Sequence, residues 1–190
     1  MKRFSAWGFS IAALAGVSVL AAGCGAGGSA SGGASTQTQS LPAVPHSPNP
    51  ASFMKFNASR KTATLTVDAD YNNENGGFDF DGYSFGELTF RVPENYHVTV
   101  NFTNYGSMPH SVGLVRAGAN NPAGPVIPGA AVPQPLAGLQ PGGSATFHFE
   151  TPAAPRHYEL ACLVPGHIEV GMYVNFDVVK AAQPSVYVGR

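Results

Sequence analysis

Over residues 96–103 apolar and polar side chains alternate without a break, with Tyr96, Val98, Val100 and Phe102 on one parity and His97, Thr99, Asn101 and Thr103 on the other. A period of two is the mark of a strand with one face buried, so the first set is expected to face a core. Ala145, Phe147 and Phe149 oppose Thr146, His148 and Glu150 in the same way. Tyr158, Leu160 and Cys162 oppose His157, Glu159 and Ala161, which puts Cys162 on the buried parity. Short β-branched and aromatic runs separated by Gly, Pro and Asn predict strands at 62–67, 78–80, 87–92, 96–103, 111–115, 144–150, 156–162 and 172–180. No amphipathic helix is visible. Seven or eight short antiparallel strands describe an all-β fold, a two-sheet Greek-key β-sandwich. Residues 118–141, poor in charge and rich in Pro, Gly and Ala, read as a long crossing loop.

The pattern does not extend to the start of the chain. Lys2 and Arg3 precede an apolar stretch over residues 6–22 and then small residues, the order of a secretory signal. Residues 19–24, Val-Leu-Ala-Ala-Gly-Cys, resemble a bacterial lipoprotein signal, in which Cys24 would carry the lipid. Ala21 stands there where leucine is usual. The competing reading pairs Cys24 with Cys162 in a disulfide. Cys24 ends the apolar segment and a tail of Gly, Ala, Ser, Thr and Gln follows at once, which favours the anchor. Residues 1–23 are therefore taken as signal, 24–51 as a Gly/Ser/Pro-rich tether that cannot bury a core, and 52–190 as one folded domain. The chain is expected to be exported and held at a bacterial membrane, facing the periplasm or the exterior.

Removing Lys2 and Arg3 with the signal takes the formal charge from −1 to −3. No basic patch accompanies it, so no nucleic-acid partner is expected. Exported proteins usually pair their cysteines, and a single one left in the domain points to metal or reactive chemistry. Cys162, His167 and Met172 recur at five-residue intervals and offer thiolate, imidazole and thioether from one loop. Soft sulfur donors select copper, and two histidines, a cysteine and a weak axial methionine form the electron-transfer copper site. His110, just past the strongly alternating strand, is the candidate for the missing imidazole. Singly, each residue has a plainer reading as core filling or surface. Together, with this spacing and this strand pattern, they are far more specific.

The run of residues 162–167, Cys-Leu-Val-Pro-Gly-His, with Met172, Met108-Pro109-His110 and the stretch 90–104, resembles the blue copper proteins (cupredoxins). The Cys-x4-His-x4-Met spacing is most similar to that of sulfocyanin and rusticyanin. The resemblance spans roughly residues 78–180 and implies a cupredoxin-like fold with one copper ion, cycling between Cu(I) and Cu(II). It implies His110, Cys162 and His167 as equatorial ligands and Met172 as the axial one. Ser111 follows the first histidine where many cupredoxins have asparagine or aspartate. Pro165 cannot donate a backbone hydrogen bond, so Ser111 and Pro165 are expected to set the surroundings of the sulfur and to favour a relatively high reduction potential.

His97, His148 and His157 fall on outward parity and His46 in the tether, so all four are read as solvated. His167, flanked by Pro165, Gly166 and Ile168, is expected near the surface in an apolar patch that Met108 and Pro109 extend. The expected function is single-electron transfer, without catalysis, between redox partners such as a cytochrome or terminal oxidase. The alternative is copper storage or delivery, for which Met54 and Met108 are too few to form the usual exposed cluster. Nitrite reductases and multicopper oxidases need a second copper centre that no further His-rich segment supplies. No hydrolase nucleophile motif is present.

Overall fold

The computed structural model describes residues 49–189; the expected signal, Cys24, His46 and all but the last residues of the tether lie outside the described residues. A short 3-10 helix, Pro50–Phe53, opens the fold, its Ala51 amide capped by the Asn49 side chain. It delivers Phe53 edge-on to Tyr71 at 5.4 Å.

Nine strands follow among the described residues: β1 (Met54–Asn57), β2 (Thr62–Ala69), β3 (Leu88–Pro93), β4 (His97–Asn104), β5 (Gly113–Arg116), β6 (Ser144–Glu150), β7 (Arg156–Ala161), β8 (Tyr173–Val179) and β9 (Ser185–Val188). They form a two-sheet β-sandwich, one sheet ordered β1-β2-β4-β6 and the other β5-β7-β8-β3-β9. The expected alternation is realised in β2, β4 and β6, whereas in β7 the outward parity is buried as well, at Glu159 and Ala161. Val98, Val100 and Phe102 of β4 point inward opposite Phe149, Phe147 and Ala145 of β6, while Thr99 faces His148 on the outside. Phe80, Phe90, Phe102, Phe176, Leu65, Leu88, Leu114 and Leu160 fill the space between the sheets.

Three expectations need correction. The sheets are mixed rather than antiparallel throughout, because β2 pairs with β4 and β3 with β8 in parallel. The chain leaves β2 for β3 in the opposite sheet and returns as β4, and a crossover of that kind delivers a parallel neighbour. Residues 78–80 do not form a strand. Only Phe80 bridges, to Ala69 and Tyr83, because Asp70, Asn73, Asn75 and Asp81 adopt positive φ and turn the chain repeatedly. Strands β1 and β9 were absent from the pattern because three of four residues in each are exposed or lack alternation.

The loop between β2 and β3 gathers acidic groups. Asp79 and Asp81 are fully buried. Asp79 Oδ1 accepts from the amides of Tyr71 (3.0 Å) and Gly82 (2.9 Å), and Asp81 Oδ1 accepts from the amide of Asp68 (2.8 Å). Burial raises Asp79 to about 7, Asp68 to about 6, and Asp81 well above the usual carboxyl value. Such groups hold protons in the folded state that the unfolded chain has already lost. For Asp68 and Asp79 this stabilisation is complete below about pH 4 and is lost as pH rises through 6 and 7, at about 1.4 kcal/mol per pH unit for each net proton; Asp81 acts in the same direction. Burial lowers His110 to about 4 and also lowers His167; both act the other way below about pH 6.5, but two imidazoles offset at most two of the three carboxyls. Metal-free protein in chelating buffer is expected to unfold at lower denaturant at pH 8 than at pH 5; an equal or higher midpoint at pH 8 would contradict the assignment.

Candidate metal centre

Cys162 directly follows β7 on its inward parity and is fully buried. The chain then turns back on itself. The His167 amide donates to the Val164 carbonyl (3.1 Å), the Met172 amide to the His167 carbonyl (3.0 Å) and the Cys162 amide to the Met172 carbonyl (3.0 Å). Backbone pairing thus fixes the three residues relative to one another before any side-chain contact is counted. Met172 is fully buried in the same core cluster as Cys162. His110 comes from the far side, after Pro109 and before β5. A two-way backbone bridge to Leu139 (3.1 and 2.8 Å) holds it in place.

The donor atoms of His110, Cys162 and His167 lie within 4.8 Å of one another. The cysteine sulfur is 3.3 Å from His167 Nδ1, and the two imidazole centroids are 5.0 Å apart. His110 is fully buried, yet neither ring nitrogen has a hydrogen-bond partner. Burial, and then the neighbouring His167, holds it neutral down to about pH 4. Burial also lowers His167, with Glu169 opposing, and raises the Cys162 thiol against the pull of the Ser111 and Val164 amides. A buried imidazole without partners is costly, and a metal ion is the group that would satisfy it. One thiolate and two imidazoles beside a buried methionine suit copper rather than a hard cation. Binding must displace the thiol proton, so affinity should fall in acid.

Ser111 joins the segment that carries His110 to the one that carries Cys162. Its amide donates to the sulfur at 3.3 Å, and its hydroxyl accepts from the Leu163 amide (2.9 Å) while lying 3.6 Å from the sulfur. The hydroxyl proton is therefore free to point at the sulfur. Pro165 is exposed, and the preceding Val164, not Pro165, brings the second amide to the thiolate.

Three contributors were missed by reading the sequence. Phe78 meets both imidazoles edge-on, His167 at 5.0 Å and His110 at 6.2 Å. Asn104, fully buried, donates to the Met108 and Leu139 carbonyls and accepts from the Gly106 amide. Gly106 packs against His110, where a Cβ would come within 3.0 Å of Nε2. Asn104 carried a weak signal, as a polar residue on the buried parity at the end of β4.

His167 is half-buried and Pro165 and Gly166 are exposed. Ile168 does not join the expected surface patch: it is 6% exposed and packs with Val115, Ala161 and Leu163. His97, His148 and His157 are exposed. His97 and His148 nevertheless stack, with centroids 6.1 Å apart, and His157 Nδ1 lies 2.8 Å from Asp177.

A model of the sulfocyanin (SoxE) domain matches residues 49–187. A sulfocyanin of Sulfolobus acidocaldarius is 27% identical over 127 residues, covering 62% of this chain and 64% of that protein. The matched part is thus less than two thirds of that relative's length. Among solved structures, dithionite-reduced auracyanin from the photosynthetic bacterium Roseiflexus castenholzii is similar at 24% identity, covering 62% of this chain and 97% of that one (TM-score 0.46). Rusticyanin from Thiobacillus ferrooxidans is similar at 19% identity, covering 67% and 86% (TM-score 0.41). With the domain model matching well over half of the chain, across all but the last residue of the sandwich, the chain belongs to the sulfocyanin family of blue copper, cupredoxin-type proteins.

Proposed function

We propose that the domain holds one copper ion through His110, Cys162 and His167, with Met172 as the axial donor, and carries single electrons between redox proteins. The observation that carries this reading is the meeting of three donors from two distant segments, one of them a buried imidazole with both nitrogens unpartnered. When bound, the ion would supply a one-electron couple. The chain's own part is to hold the donors in one arrangement. His110 is pinned by Leu139 and Asn104, Cys162 by Ser111, and the loop by its own backbone bonds. A sandwich closed in this way leaves little room for the donors to relax when the charge of the ion changes.

Full burial of His110 and Cys162 favours a retained ion over storage or delivery, which needs exchange. The half-buried His167 is the natural electron port. Exposed Pro165 and Val170 lie on its own loop, and Phe85, also exposed, packs against Gly171. A small apolar contact of this kind suits a brief encounter with a cytochrome or terminal oxidase. Export and a lipid anchor at Cys24 would keep the carrier at the membrane where such partners work.

Met172→Leu tests the axial assignment. A thioether stabilises the oxidised ion preferentially, so its removal should leave copper bound and raise the midpoint potential by tens of millivolts, a tenfold change in relative affinity being about 59 mV for one electron. An unchanged or lowered potential in a spectroelectrochemical titration would refute the assignment. Ser111, with its amide and hydroxyl at the sulfur, supports a relatively high potential for the unmodified site.

A further inference from the structure

We propose that the acidic loop between β2 and β3 binds a hard divalent cation of the calcium class between Asp79 and Asp81. The two side chains have no exposure to solvent. In each, one carboxylate oxygen is used by backbone amides, Asp79 Oδ1 by Tyr71 and Gly82 and Asp81 Oδ1 by Asp68. In each, the second oxygen, Oδ2, is buried with no partner. An unpartnered buried carboxylate oxygen is among the most costly groups a fold can contain, and here there are two, separated by one residue.

The charge around them is of the same sign. Asp70 and Glu74 bear on Asp79, and Asp68 bears on Asp81. None of these five carboxylates forms an ion pair with a lysine or arginine among the described residues. The other titratable neighbours are the tyrosines at 71, 83 and 105, which carry no positive charge. Gly77 packs on the Asp70 carboxylate, where a Cβ would come within 3.0 Å of Oδ2, so the loop is drawn in close over its own acidic groups. Protons can neutralise such a cluster in acid. Above neutral pH a cation must do so, or the folded state loses stability.

The donors are all oxygen, which selects calcium or magnesium over the copper-type ions of the sulfur site. No three of the carboxylates have oxygens within 4.8 Å of one another. The protein would therefore give two carboxylates, and carbonyl oxygens and water would complete the six to eight ligands that calcium takes. The site would also reach the copper centre. Phe78, next to Asp79, lies against both imidazoles. Asn75 Nδ2 donates to the carbonyls of Phe78 (3.2 Å) and Val170 (2.8 Å), tying the acidic loop to the ligand loop.

The test is thermal unfolding of the full chain, stripped of divalent ions, at pH 8 and pH 5, with added calcium chloride, magnesium chloride or sodium chloride of matched ionic strength. Calcium is expected to raise the midpoint at pH 8 beyond the sodium control and to have little effect at pH 5, where protons occupy the oxygens. Asp79→Asn keeps the acceptor for Tyr71 and Gly82 and should weaken calcium binding by about tenfold or more, read by isothermal titration. The proposal is overturned if calcium leaves the pH 8 midpoint at the sodium control, since protons alone would then serve the cluster. It is equally overturned if isothermal titration of the unaltered chain shows no calcium binding at pH 8, or if affinity survives unchanged in both Asp79→Asn and Asp81→Asn.

Discussion

Replacing Cys162 with serine is expected to give a folded protein that no longer develops an intense visible band with Cu(II). The two side chains differ little in size, and the amides of Ser111 and Val164 that now meet the sulfur can meet a hydroxyl oxygen instead. The sandwich should therefore survive with a modest loss of stability. The chemistry should not. The thiolate is the donor responsible for the colour and for the preference for copper, and a serine hydroxyl stays protonated at neutral pH. Loss of a residue that merely orients a ligand typically costs about 10–100-fold in affinity, and loss of the thiolate itself should exceed that. A copper titration followed by absorbance and circular dichroism separates the two parts. A band of undiminished intensity in Cys162→Ser would show that the sulfur is no ligand.

Asn104→Ala is expected to have the largest effect on the fold around the site. The side chain holds three backbone groups at once: the Met108 carbonyl, the Leu139 carbonyl and the Gly106 amide. Two of these belong to the segment that presents His110, and the third is the residue that bridges His110 directly. Truncation leaves buried polar groups unsatisfied, each costing about 1–3 kcal/mol unless water reaches it. A net destabilisation of about 3 kcal/mol is expected in denaturant unfolding of the metal-free protein. Because His110 loses its support, the copper-loaded variant should also show a shifted visible spectrum. A loss below about 1 kcal/mol with an unaltered spectrum would show that the backbone bridge alone positions the histidine.

Period-two alternation made most of the sandwich legible. It located β2, β4, β6, β7 and β8 within a residue or two at their ends, and it placed Cys162 inward. The ligand loop was legible for a different reason: its thiolate, imidazole and thioether are near neighbours in sequence. His110 was harder, because nothing local links it to Cys162, and only the pairing of β5 with β7 brings the two segments together.

What escaped reading depends on register and on unusual backbone. The stacking of His97 on His148 follows from β4 and β6 aligning His97 with Glu150 and Thr99 with His148, an offset no single strand reveals. Ile168 looked like a surface neighbour of His167 because it is adjacent in sequence. The turn instead sends it under the outer face of β7 to pack on Ala161. The acidic loop broke the strand pattern, since its positive-φ residues free it from the alternation that pattern-reading relies on, and its buried aspartates are polar where the rule expects apolar. Parallel pairing of β2 with β4 likewise left no trace in either strand.

Convergence of His110, Cys162, His167 and Met172 on one copper ion is decided by adding Cu(II) to the purified, metal-free protein and recording the visible spectrum together with a metal count. One copper per chain is expected, with an intense thiolate-to-copper band that vanishes on reduction and returns on reoxidation. Copper bound without that band, or a chain that takes up no copper, would contradict it.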